Sequence, residues 1–286
     1  MKYISFFKKN LDKITNVGFF KNDHEIYDLT PIFSAITSLI EKENREELIL
    51  NHISNLEVLS LDDIELCAPI PNPRRNIFCV GWNYLEHFEE RHNQEIELPE
   101  KPTFFTKPTT TIAGPYEDIP LINTFTSKLD YEAELAVIIG KKGRDISTED
   151  ALNYVFGYMC ANDISARDVQ FEHGGQWFKG KSMDKSCPIG PYLVSANEIK
   201  NPQKLDISCE VNGETVQSSN TGLMNFSVAQ IISELSQGLT LLPGDIILTG
   251  TPSGIGSKRN PPLFLKPNDK VTVKISELGQ ISNIIK

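Results

Sequence analysis

Tyr131-Glu132-Ala133-Glu134-Leu135-Ala136-Val137-Ile138-Ile139-Gly140 places two carboxylates, two residues apart, at the mouth of an apolar run that closes on glycine. The run is rich in β-branched residues, the pattern of a strand buried on both faces. Strand side chains alternate, so Glu132 and Glu134 are expected on one face. Adjacent carboxylates repel unless a cation or a proton lies between them. A hard divalent ion such as Mg2+ or Mn2+ answers that need, although a solvated strand face carries the same spacing. A second apolar run, Val155-Phe156-Gly157-Tyr158-Met159-Cys160-Ala161, ends at Asn162-Asp163. If the two runs pair as neighbours, Asp163 joins Glu132 and Glu134 as a third oxygen donor.

Further motifs follow in order through the chain. They include Cys79-Val80-Gly81-Trp82-Asn83-Tyr84 with His87, Lys107-Pro108, and Gly114-Pro115. Downstream lie Asp130-Tyr131-Glu132-Ala133-Glu134, Ala166-Arg167-Asp168 with Gln170, Gly180-Lys181-Ser182, Pro243-Gly244-Asp245 and Thr249-Gly250-Thr251-Pro252. Over about residues 75 to 275 the chain resembles the fumarylacetoacetate hydrolase family in its smaller bacterial-type form, close to acylpyruvate hydrolases and 2-hydroxyhepta-2,4-diene-1,7-dioate isomerases. The resemblance implies a catalytic domain built as a mixed β-roll, an assembly as homodimer, and one Mg2+ or Mn2+ per chain.

The coarse pattern agrees with an α+β class: many short β runs separated by Gly, Pro and Asn, with few helices. Residues 1–66 read as a small N-terminal α/β domain, 67–75 as a proline-rich linker, and 76–286 as the catalytic domain. In the first unit, Tyr3–Phe7 and Val17–Phe20 read as strands, Ile32–Ile40 and Arg45–Ile53 as helices. Asn83 reads as a helix cap. Asn212-Gly213 reads as a hairpin turn, and Ser227–Ser236 as the longer late helix.

The 286 residues are 40% hydrophobic and 23% charged, ordinary for a globular enzyme. A formal net charge of -10 argues against a nucleic-acid partner. No apolar run approaches the roughly 20 residues that span a bilayer, and the first residues lack the apolar core of a signal peptide, so no membrane association and a cytoplasmic setting are expected. Cys67, Cys79, Cys160, Cys187 and Cys209 are widely spaced with no C-x-x-C, the pattern of reduced core thiols.

His87 titrates near neutrality, and Glu90 lies three positions on, the same face of a helix. An isolated H-x-x-E is common on surfaces; the resemblance is what assigns His87 and Glu90 to an acid–base dyad on a lid segment. It also assigns Arg167, Gln170 and Thr251 to substrate binding, and Lys181 to a catalytic position beside the metal. An Arg fork grips a carboxylate in bidentate fashion, while its ordinary use is an ion pair with an acid of the protein. Trp82 and Phe88 flank the lid and are expected to narrow the space for the substrate tail.

Metal-assisted chemistry on a small 2-oxo acid follows. The reading taken first is hydrolysis of a carbon–carbon bond in a β-diketo acid of the acylpyruvate type, passing through a metal-bound enolate, as in aromatic catabolism. The same site suits an oxaloacetate-type decarboxylase or a dienedioate isomerase. From other classes stand a ureidoglycolate-type lyase and a non-catalytic, metal-stabilised binding protein.

Overall fold

The protein is described by a computed structural model over residues 1–11, 13–86 and 99–286. Its centre is the stretch quoted above. Ala133–Ile139 runs antiparallel to Val155–Asn162 on one side and to Ile246–Leu248 on the other, with Ala133 opposite Asn162 and Glu134 opposite Ala161. Every residue of both long strands is buried. That is why they read as unbroken apolar runs rather than as alternating ones.

Alternation appears instead in what each face meets. Leu135, Val137 and Ile139 join the core shared with Ile207, Val271, Val273 and Ile281. Those four belong to a separate antiparallel sheet of Glu214–Asn220, Asp206–Val211, Lys270–Ile275 and Gly279–Ile284. Ala136 and Ile138 face a second core with Leu29, Ile36 and Leu39. Glu132 and Glu134 share the parity of Ala136, so the register that buries the core also sends both carboxylates one way.

The central sheet extends in both directions. Beyond Val155–Asn162 comes Cys187–Ser195, and beyond Ile246–Leu248 come Ile77–Gly81, parallel to it, and Thr103–Lys107. Lys2–Lys8 then pairs with Cys187–Ser195, setting Lys2 opposite Val194 and Tyr3 opposite Leu193. Asn16–Phe20, Glu25–Asp28, Val58–Ser60 and Ile64–Cys67, with Ile112–Ala113 parallel to Cys187–Ser195, complete a sheet of 12 strands among the described residues. The N-terminal residues thus continue the central sheet and share its second core, with helices Ile36–Glu41 and Arg45–His52 packed there.

Asn212 and Gly213 both take positive φ, 54° and 86°, as a two-residue hairpin of primed type requires. The helix Val228–Ser236 begins at Ser227, whose hydroxyl accepts from the Gln230 backbone while the Gln230 side chain accepts from the Ser227 N–H. Its buried Val228, Ile231, Ile232 and Leu235 fall at helical spacing. The helical segment that Asn83 is expected to cap continues into residues outside those described. Asn83 Oδ1 accepts from the Phe226 N–H at 2.7 Å, and its Nδ2 donates to the Phe226 and Thr249 carbonyls. These bonds tie three segments together behind the site. All five cysteines are free, and Cys79, Cys160, Cys187 and Cys209 are buried. No helix among the described residues is long and apolar enough to cross a membrane.

Candidate metal centre

Strand pairing brings the third carboxylate into place. Asp163 follows the end of Val155–Asn162, and its N–H donates to the Glu132 carbonyl at 2.9 Å. The Asn162 side chain locks the same corner by accepting from the Glu132 N–H. One ligand oxygen each from Glu132, Glu134 and Asp163 lies within 4.8 Å of the others, and all three side chains are buried.

Three cations surround this cluster. Lys181 Nζ donates to Glu132 Oε2 at 2.8 Å and to Asp163 Oδ2 at 2.7 Å. Lys107, wholly buried at the end of Thr103–Lys107, sets Nζ 2.8 Å from Asp163 Oδ1 and donates to the Ile164 carbonyl and to Ser186 Oγ. Arg167 reaches Glu132 Oε1 at 2.6 Å and Asp130 Oδ2 at 2.8 Å. Burial disfavours the charge on Lys181 and Arg167, but the adjacent carboxylates outweigh it and hold both above their ordinary pKa.

Asp130, Glu132, Glu134 and Asp163 thus meet three cations, which leaves one negative charge in a buried site. Glu134 is where the imbalance falls. Burial pushes its pKa well up, and Asp163 and Glu132 push the same way, while Lys181 and the Gly250 N–H, donating at 2.6 Å, oppose them. An all-oxygen, buried donor set with an unmet charge fits Mg2+ or Mn2+. The residues that would hold the ion are the three named from the sequence.

A proton and a metal therefore compete at Glu134. Because the carboxyl is raised, binding Mg2+ is expected to expel a proton over the pH range in which that carboxyl is protonated, and affinity to climb as rising pH removes the competitor. Calorimetry in two buffers of different ionisation enthalpy measures this directly. Identical heats in both would contradict it.

A cavity of about 590 Å³ opens over the cluster, and Arg167, Gln170, Lys181 and Thr251 all line it with Glu132 and Glu134. Arg167 does not present a free fork. Asp130 and Glu132 hold it, and its Nη1 donates to Gln170 Oε1 at 3.1 Å. Asp168, next to Arg167 in the chain, accepts from Thr126 and Ser127 instead. Thr251 Oγ1 accepts from Gln217 Nε2, and Gln217 Oε1 accepts from the Ala133 N–H, so one amide spans the strand and the loop. His87, Phe88 and Glu90 lie outside the described residues.

Asp130, Lys107 and Gln217 escaped the sequence reading as working parts. Asp130 was legible, because Asp130, Glu132 and Glu134 repeat at the period of two. It accepts from the Gly256 and Ser257 N–H groups as well as from Arg167. A lysine ending an exposed-looking strand carries no comparable signal for burial.

Gly180 sets the position of Lys181 by its lack of a side chain. A Cβ there would lie 2.5 Å from the backbone N and Cα of Gln170. Gly180→Ala is expected to move Lys181 off Glu132 and Asp163 and lower kcat by about 10²-fold, the effect of an ångström-scale misplacement. Wild-type kcat in this variant would show that Lys181 is not needed where it stands.

Comparison with known proteins meets this geometry from outside. Residues 76–286 match the family model described as fumarylacetoacetate (FAA) hydrolase C-terminal. The oxaloacetate tautomerase YisK of Bacillus subtilis (strain 168) is 48% identical over 226 residues, 79% of this chain and 74% of its own. The mitochondrial oxaloacetate tautomerase of Rattus norvegicus is 45% identical over 230 residues, 80% of this chain and 72% of its own. Among solved structures, the fumarylacetoacetate hydrolase of Exiguobacterium antarcticum superposes with a TM-score of 0.85 at 37% identity, covering 100% of this chain and 99% of that one. The maleylpyruvate hydrolase of Sphingobium sp. SYK-6, solved with manganese(II) and pyruvate, gives 0.80 at 28% identity, covering 100% and 98%. With the α+β sheet architecture, the buried triad and these matches in one chain, the protein belongs to the fumarylacetoacetate hydrolase family of metal-dependent enzymes.

Proposed function

We propose that this protein interconverts the keto and enol forms of a short 2-oxo diacid of the oxaloacetate type. The observation that carries the reading is the buried triad set against Lys181 and Arg167, joined to identities of 45–48% with oxaloacetate tautomerases. The reaction breaks one C–H bond at C3 and forms one O–H bond at the 2-oxo oxygen, or the reverse. It needs positive charge where that oxygen becomes anionic and a carrier for one proton. A divalent cation held by Glu132, Glu134 and Asp163 supplies Lewis acidity at the 2-oxo group. Lys181 adds an ammonium beside the developing oxyanion, fixed in advance by two carboxylates. Asp130 holds Arg167, and Arg167 holds Gln170, so the polar floor is rigid before substrate arrives. His87 with Glu90 is the pair we assign to moving the C3 proton.

Hydrolysis of an acylpyruvate is the second reading, supported by the likeness to maleylpyruvate hydrolase. It asks the same floor to stabilise the enolate that leaves, and adds a directed water. Absorbance of the enol form separates the two. Protein stripped with EDTA and reloaded with Mg2+ or Mn2+ is expected to speed decay of enol-oxaloacetate with no release of pyruvate. Pyruvate and acetate appearing from acetylpyruvate at a similar or higher rate would move the assignment to the hydrolase. Pyruvate from oxaloacetate would make the protein a decarboxylase.

A further inference from the structure

We propose that Trp82, Trp177 and Phe105 form an aromatic wall that limits the tail length of the 2-oxo acid; the inference rests on the 2-oxo acid reading above. Three separate segments supply these rings. Phe105 comes from Thr103–Lys107, Trp82 from the turn after Ile77–Gly81, and Trp177 from the loop following the helix Arg167–Glu172. All three line the cavity that holds Glu132, Glu134 and Lys181. The Trp82 and Trp177 centroids lie 4.6 Å apart at 80°, and Phe105 and Trp177 5.3 Å apart at 70°, both edge-to-face. Lys181 Nζ sits 5.3 Å from the Phe105 centroid, so the wall begins directly beside the charged floor.

The backbone is shaped to keep these rings there. Trp82 has φ of 55°, a left-handed conformation that a bulky residue adopts only when its surroundings impose it. Asn83, bonded to Phe226 and Thr249, provides that constraint from the following position. Gly81, from the preceding one, leaves the room: a Cβ there would lie 2.4 Å from the Trp177 ring. A tail growing from C3 of a bound 2-oxo acid toward Gly81 therefore meets indole carbon within a few atoms. Short acids are accommodated and long unbranched ones are not.

Trp82 and Trp177 are the only tryptophans in the chain, so intrinsic fluorescence reports directly on this wall. The test is a fluorescence titration of Mg2+-loaded protein with pyruvate, 2-oxobutanoate, 2-oxohexanoate and 2-oxooctanoate. In an open apolar pocket each added methylene tightens binding about fourfold. Wild-type protein is expected to show no such gain, and to bind 2-oxooctanoate more weakly than pyruvate. Trp177→Ala is expected to tighten 2-oxooctanoate about tenfold or more while leaving pyruvate unchanged, and Trp177→Phe to keep the wild-type order. Steady tightening with length in wild-type protein, which needs no variant to fold, would overturn the inference. An equal shift for all four acids in Trp177→Ala would do the same. Failure of wild-type protein to bind even pyruvate would instead overturn the 2-oxo acid reading, and the inference with it.

Discussion

Asp163→Asn is expected to abolish divalent-metal binding and lower activity by about 10³-fold or more, since the ion's charge stabilisation is worth several kcal/mol. The carboxylate is the one member of the triad that follows the second strand, and both of its oxygens are engaged. Oδ2 accepts from Lys181 and Oδ1 faces Lys107 at 2.8 Å. An amide of the same shape keeps the packing but removes the charge, and its Nδ2 meets an ammonium. Two lysines then stand in a site with one fewer anion, which repels a cation further. Calorimetric titration with Mn2+ and the enol-oxaloacetate assay measure the two effects separately. Full activity in metal-stripped Asp163→Asn would remove the triad from the chemistry altogether.

Lys107→Met acts on stability rather than on the reacting atoms. Lys107 is fully buried, and its ammonium satisfies the Ile164 carbonyl, Ser186 Oγ and Asp163 together. Removing one member of a buried ion pair costs up to about 3–5 kcal/mol, and here it leaves Asp163 with Lys181 alone. Denaturant unfolding in EDTA is expected to show that loss. Saturating Mn2+ should return about 2.7 kcal/mol at a hundredfold excess over the dissociation constant, the mass-action gain from an ion that binds only the folded protein. An unchanged midpoint in EDTA would mean that the carboxylate cluster tolerates one cation fewer, and the charge count given for the site would be wrong.

Much of this site was legible in the sequence, because its parts sit on the longest apolar runs. The period of two placed Glu132 and Glu134 together, and antiparallel pairing of the two buried strands brought in Asp163. Arg167, Gln170, Lys181 and Thr251 arrive at the same cavity, but with duties that spacing does not reveal. Arg167 turns inward to Asp130 and Glu132, a choice that depends on which acids the fold carries to it. Lys107 could not be read as buried, since nothing in Thr103–Lys107 distinguishes a solvated lysine from one enclosed by Asp163 and Ser186. Val58–Ser60 and Ile64–Cys67 were missed as strands for a related reason. Runs of three and four residues carry no periodicity, and long-range pairing with Glu25–Asp28 and Lys2–Lys8 makes them strands. Asn83 reads as a cap from its local setting, which does not reveal the bonds its side chain also makes to residues 143 and 166 positions away.

The most direct measurement is hydrogen exchange at C3 of 2-oxobutanoate in D2O, followed by proton NMR. This acid enolises but has neither a β-carboxylate to lose nor an acyl group to hydrolyse, so exchange reports the enolising site alone. Protein loaded with Mg2+ or Mn2+ is expected to catalyse loss of the C3 proton signal, and stripped wild-type protein, and Asp163→Asn with the same metal in solution, are expected to leave it intact. Exchange at the same rate with and without metal, or none in the loaded wild-type protein, would contradict a triad-held cation and its lysine acting together on a 2-oxo acid.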